Sequence, residues 1–136
     1  MRRMRRLRAP RIRDMVAENS LSCRNLVQPI FVDERACEPQ AIASMPGQYR
    51  QSLESIAAEA GALEDLGVPA VLLFGLPAHK DECGSGAYDS QGVIQRAVAA
   101  IKEATSLVVI TDLCLCEYTS HGHCGLVRGE KVLNDE

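Results

Sequence analysis

Residues 111–125 read TDLCLCEYTSHGHCG, which places Cys114, Cys116 and Cys124 close to His121 and His123 and just after Asp112. Three thiolates suit zinc, with each bond about 2.3 Å long. Cys114 and Cys116 are two residues apart at the predicted end of a strand, so both thiols are expected on one side, able to share one ion. Cys124 returns on a loop made pliable by Gly122 and Gly125. The short C-x-C differs from the C-x₂₋₄-C usual in structural zinc fingers. Three of four tetrahedral corners are plainly supplied. The fourth is His121, His123, a remote ligand, or an open position for water or substrate; a closed site would be structural and an open one catalytic. Asp112 is expected on the same strand face as Cys114 and Cys116, where it can orient a substrate or move a proton. The plainer alternative is a strand-end aspartate bonded to nearby backbone amides.

A disulfide staple is the competing use of clustered thiols. No apolar run reaches the roughly 18 residues of a membrane span, and the first residues lack the apolar stretch of a secretory signal. The expected compartment is therefore the cytoplasm, where metal ligation is the better reading of six cysteines. Cys23, Cys37 and Cys83 have no metal-like spacing and are read as free thiols.

Charge is uneven. Residues 1–13 hold seven arginines and no acid, whereas the remaining residues hold 8 basic and 18 acidic side chains, which together give the net −3. A basic arm on an acidic body can bind nucleic acid, target an organelle, or lie across a neighbouring subunit. The arm has no aromatic residue to stack on a base, which argues against nucleic acid.

The elements that must position the thiols follow from periodicity. Ile12, Met15 and Val16 mark a short amphipathic helix. Residues 26–32 read as a strand made irregular, or placed at an edge, by Pro29. A turn-rich loop through Pro46 and Gly47 follows. Leu53, Ile56, Ala57, Ala60, Leu63 and Leu66 recur at threes and fours, predicting a helix from an N-cap at Ser52 to Gly67. Residues 69–76 and 107–115 are continuous apolar runs, the mark of strands in a parallel sheet. Between them lies a helix over VIQRAVAAIKEA with Val93, Ala97, Ala100 and Ile101 inward. Strands alternating with helices give an α/β fold. No G-x-G-x-x-G opens a helix, so a dinucleotide-binding sheet is disfavoured against a barrel, whose functional groups gather in the loops after its strands. Asn134 and Asp135 resemble a helix start, and 136 residues fall short of the roughly 250 of a full barrel. The expected architecture is thus the N-terminal part of a larger (β/α)₈ barrel, incomplete in this chain, with an arm over 1–24 and the first strands and helices over 25–136.

The stretches SMPGQYR, LFGLPAHKDECGSGAY and DLCLCEYTSHGHCG followed by LND resemble porphobilinogen synthase, also called 5-aminolevulinate dehydratase, from about Arg5 to the last residue. The resemblance implies a TIM barrel with an N-terminal arm that embraces a neighbouring subunit, usually in a homo-octamer, while the residues themselves lead to the expectation of no membrane or nucleic-acid partner. It implies condensation of two 5-aminolevulinate molecules to porphobilinogen with loss of two waters, on the path to haem and other tetrapyrroles. It also implies that Cys114, Cys116 and Cys124 hold a catalytic zinc, with Asp112 in the active site beside it. Some members replace these cysteines and rely on magnesium, which remains a second ion for the complete enzyme. The family uses two Schiff-base lysines from later strands. Lys80, Lys102 and Lys131 do not match those positions. Lys80 reads as a loop lysine or a partner of Asp81, and the chain alone is expected to be inactive. A zinc-binding or interaction module without catalysis is the alternative.

Overall fold

The computed structural model describes residues 9–129 and 131–133. In chain order the elements are α1 (Pro10–Met15), β1 (Val27–Asp33), β2 (Gln40–Ala41), β3 (Tyr49–Gln51), α2 (Ile56–Asp65), β4 (Ala70–Leu76), α3 (Val93–Ala104), β5 (Val108–Thr111), β6 (Val127–Arg128) and β7 (Lys131–Val132). The apolar strands come together as expected. β1 pairs in parallel with β4 along its whole length, and β4 pairs in parallel with β5 from Ala70↔Val108 to Leu73↔Thr111. The full sheet runs β2-β3-β1-β4-β5, and β6 and β7 form a separate hairpin. The fold is α/β around a mainly parallel sheet.

Helices α2 and α3 cover one face of the sheet. Ile56 and Ala60 of α2 and Ala97 and Ile101 of α3 lie in one buried cluster with Val32 of β1 and Leu73 of β4. The opposite face is apolar but less covered. Phe31 and Phe74, paired across β1 and β4, stack with ring centroids 5.4 Å apart, and Ile110 of β5 stands exposed.

Several expectations need correction. The stretch after β1 is not only loop: β2 and β3 add to the sheet, β3 pairing with Phe31 and Val32. Pro29 does fall at an edge as expected, since β3 meets β1 only at Phe31 and Val32 and leaves that side of β1 unpaired at Pro29. The N-cap position of α2 is Ser55 rather than Ser52. Ser52 closes the preceding turn instead, its Oγ accepting the Ser55 amide at 3.1 Å and its carbonyl accepting the Ile56 amide. Leu66, expected inward, is exposed. The helix containing Ile12 and Met15 forms, with none of its residues buried. The strand expected to reach residue 115 stops at Thr111. The arginines up to Arg8 and the expected helix start at Asn134 and Asp135 lie outside the described residues. Among the described residues no helix is long and apolar enough to cross a membrane.

Ile101 is fully buried, whereas Leu113 is 98% exposed. Ile101→Ala should lower the unfolding free energy by about 2–5 kcal/mol, and Leu113→Ala should change it by no more than about 0.5 kcal/mol. Denaturant unfolding of the two variants checks both figures, and equal effects would contradict the packing described.

Candidate metal centre

The thiol segment begins where β5 ends. Beyond Thr111 the chain leaves the sheet and turns at residues 115–119, where the Tyr118 and Thr119 amides both donate to the Leu115 carbonyl. It then returns through Gly125, whose φ of 101° suits glycine. This turn, rather than strand alternation, brings the thiols together. Cys114 Sγ lies 3.2 Å from Cys124 Sγ, and Cys116 Sγ lies 3.3 Å from the same sulfur. All six cysteines are free. The three sulfurs lie within 4.8 Å of one another, as donors to one ion must. A tetrahedron built on bonds of about 2.3 Å has edges of about 3.8 Å. Spreading by a few tenths of an ångström would therefore admit zinc, and the donor set fits it.

The Cys114 and Cys124 thiols are shifted in opposite directions. The Cys124 thiol is held below its ordinary value by the thiol of Cys114 first, then by the Leu115 amide and the thiol of Cys116. For Cys114 the amide of Cys116 acts downward, but the thiols of Cys124 and Cys116, desolvation and the Glu117 carboxylate push it up to about 12. Metal binding by a thiol cluster is accompanied by release of protons, because the ligand is the thiolate.

Asp112 lies past the strand end, so the expected common strand face with the cysteines does not exist. Its carboxylate nevertheless joins the site: Asp112, Cys114 and Glu117 place their donor atoms within 4.8 Å of one another. Glu117 was not singled out by sequence, and its adjacency to Cys116 was the available signal. Asp112, Cys114, Leu115 and Tyr118 border a small cavity of about 180 Å³ that also reaches Ile94 and Gln95 of α3. Neither histidine joins the thiols. His121 Nδ1 accepts the His123 amide at 3.2 Å, its Nε2 lies 3.2 Å from the Glu82 carbonyl, and the two rings stack.

A larger cavity of about 530 Å³ lies beside the loop that follows β4, against Glu34, His79, Lys80, Asp81 and Tyr88. It holds Lys80 but none of the three clustered thiols, so size alone does not mark the chemistry. No ion pair joins Lys80 to Asp81 among the described residues. The Asp81 carboxylate is bound within its own loop: Oδ1 accepts the Cys83 amide at 2.9 Å and the Ser85 amide at 3.0 Å, and the Ser85 hydroxyl donates to Oδ2. Those bonds, the Ser85 hydroxyl first, hold the carboxyl below its ordinary value. Glu34, beyond β1, accepts the Ala78 amide at 2.8 Å and pairs with Arg96 of α3. That pair ties the ends of β1 and β4 to α3.

A lowered carboxyl stabilises its loop above the ordinary aspartate value and loses that effect as pH falls through its own lower value. The Cys83 and Ser85 amide resonances should therefore titrate together with a midpoint below 3.8, the unperturbed value. An acid titration followed by NMR checks this, and a midpoint at or above 3.8 would mean that the carboxylate does not hold those amides.

The family model of delta-aminolevulinic acid dehydratase matches residues 1–136. A delta-aminolevulinic acid dehydratase from Methanothermus sociabilis is 51% identical over 135 residues, covering 98% of this chain and 42% of that protein. Its Bacillus subtilis counterpart is 45% identical over 136 residues, with 98% and 42% covered. The crystal structure of delta-aminolevulinic acid dehydratase (porphobilinogen synthase) from Toxoplasma gondii ME49, in complex with the reaction product porphobilinogen, superposes with a TM-score of 0.88 at 32% identity, over 99% of this chain and 40% of that one. The chain thus spans about two fifths of the length of these relatives.

Proposed function

The chain belongs to the delta-aminolevulinic acid dehydratase family, and from that premise we propose that it is the metal-binding part of a porphobilinogen synthase. The whole protein condenses two molecules of 5-aminolevulinate to porphobilinogen with loss of two waters, in tetrapyrrole biosynthesis. The observation that carries this reading is the convergence of Cys114, Cys116 and Cys124 in the loop after a parallel strand. In a barrel, that is where catalytic groups gather.

The fold supports the same reading. The helices cover one face of the sheet and leave a second apolar face around Phe31, Phe74 and Ile110. A barrel needs such a face, because its strands carry helices outside and packed side chains inside. We assign residues 1–24 to an arm that contacts a neighbouring subunit in a homo-oligomer, an octamer in the family. Residues 25–136 then form the first strands and helices of the (β/α)₈ barrel.

Cys114, Cys116 and Cys124 would hold Zn²⁺, and magnesium would serve elsewhere in the whole enzyme. When bound, zinc supplies a Lewis acid that polarises a substrate oxygen. The remaining local chemistry belongs to side chains. Asp112, exposed beside Cys114, orients the substrate and carries a proton at its carboxylate oxygen. The amines that capture the two substrates as Schiff bases are not Lys80, Lys102 or Lys131. Lys102 Nζ is engaged with the Leu107 carbonyl at 3.0 Å.

Zinc measured per chain after reducing purification should be about one equivalent, as a single three-thiolate site requires. It should be absent from Cys124→Ala; equal zinc in both would remove the ligand assignment. The chain by itself should release no porphobilinogen from 5-aminolevulinate, and appreciable product would overturn the division of the active site. In the whole enzyme, Asp112→Asn should lower kcat by about 10²–10⁴-fold while zinc content is unchanged. Loss of zinc together with activity would instead make Asp112 part of the metal site.

A further inference from the structure

The convergence of the three thiols needs a physical cause. The loop that carries them is exposed at Asp112, Leu113 and Cys124, yet it contains two deeply buried residues, Tyr118 and Thr119, 8% and 2% exposed. Tyr118 enters a space kept open by glycines on the other loop. A Cβ at Gly75, in β4, would lie 2.7 Å from Tyr118 Oη and 2.7 Å from Ile94 Cγ1. A Cβ at Gly86 would lie 3.3 Å from Tyr118 Cδ1, and one at Gly84 would lie 3.3 Å from Thr119 Cγ2. The ring therefore fills a cradle that side chains would occlude.

Backbone and side-chain bonds fasten the same contact. The Asp81 amide donates to the Tyr118 carbonyl at 3.3 Å, and the Ser120 amide donates to the Asp81 carbonyl at 2.8 Å, a short parallel bridge between the two loops. Thr119 Oγ1 donates to the His123 carbonyl at 2.9 Å, next to Cys124. Asp81 in turn shapes the cradle, since its carboxylate gathers the Cys83 and Ser85 amides around Gly84.

We propose that Tyr118 is the positioning residue of the thiol centre: its ring, wedged between β4 and the loop after β4, holds Cys114, Cys116 and Cys124 in register before metal arrives. It acts through the backbone on either side, Cys116 two residues before it and Thr119 directly after. The importance of this for zinc rests on the ligand reading above; the positioning itself does not. Supporting groups of this kind are worth about 10–100-fold in metal affinity.

Two readouts on this chain separate the possibilities. Zinc affinity is measured by competition with a chromophoric chelator for wild type, Tyr118→Phe, Tyr118→Ala, Gly86→Ala and Cys124→Ala. The second readout uses metal-free protein: the rate at which oxidised glutathione drives Cys124 to pair with Cys114 or Cys116, mapped by mass spectrometry. Tyr118→Phe should match wild type within about 3-fold. Tyr118→Ala should lose about 10–100-fold in zinc affinity and pair its thiols more slowly. Gly86→Ala, which crowds the ring without removing it, should fall between them and serves if Tyr118→Ala does not fold. Circular dichroism should show the helices unchanged in Gly86→Ala, which separates positioning from unfolding. Wild-type affinity and pairing rate in both Tyr118→Ala and Gly86→Ala would overturn the proposal. If wild type binds zinc no better than Cys124→Ala but pairing still slows in Tyr118→Ala, the positioning stands and the metal reading fails.

Discussion

Two backbone hydrogen bonds, from Asp81 to Tyr118 and from Ser120 back to Asp81, join the loop after β4 to the loop after β5. Everything chemical in the chain depends on that join. The sheet places the C-terminal ends of β4 and β5 side by side, and the helices α2 and α3 hold the strands from behind. That scaffold ends at Leu76 and Thr111, short of the first clustered cysteine. The segment that carries the thiols is instead joined to the rest through a contact between loops. The Tyr118 ring supplies buried area, the glycines supply room, and Asp81 supplies fixed acceptors. None of the three would suffice alone, because a loop exposed on its other side has little apolar surface with which to offset the entropy of ordering it.

The long apolar elements were legible in the sequence because their patterns reflect burial. The helix over 93–104 and the strand over 70–76 agree with expectation almost residue for residue. The pattern misled where alternation had another origin. In DLCLC the leucines and cysteines alternate as in a strand, yet Leu113 is fully exposed and the ladder has already ended. There the spacing serves the ligands, and a two-residue period carries no information about the sheet. β2 and β3 escaped notice for the converse reason. They are two and three residues long, hold polar Gln40, Arg50 and Gln51, and exist through backbone pairing that leaves no side-chain periodicity.

The site was readable in its residue types but not in its geometry. Three cysteines are donors that suit an ion, and the three do meet, while Asp112 comes close to Cys114 alone among them. The histidines were reasonable candidates for the fourth corner by type, but one ring is bound to the Glu82 carbonyl and to its neighbour's amide. The glycines of CGSG read as turn formers, which Gly84 is, with its φ of 65°. Their second role, leaving space for a ring some thirty residues further along the chain, concerns a long-range contact that local sequence does not encode.

Electrostatics then explains why the centre calls for a cation. The neighbours of Cys114 push its thiol up, while that of Cys124 is held below its ordinary value. Glu117 and Asp112 stand close to Cys114 and add negative potential, which favours a cation there, and the Glu117 carboxylate opposes ionisation of the Cys114 thiol. A bound cation reverses that balance, since each thiolate then gains an attraction larger than the repulsion it meets. The position of Asp112 acquires a meaning on the same argument. It is exposed rather than buried among backbone amides, and its carboxylate stands beside Cys114 on the open side of the cluster.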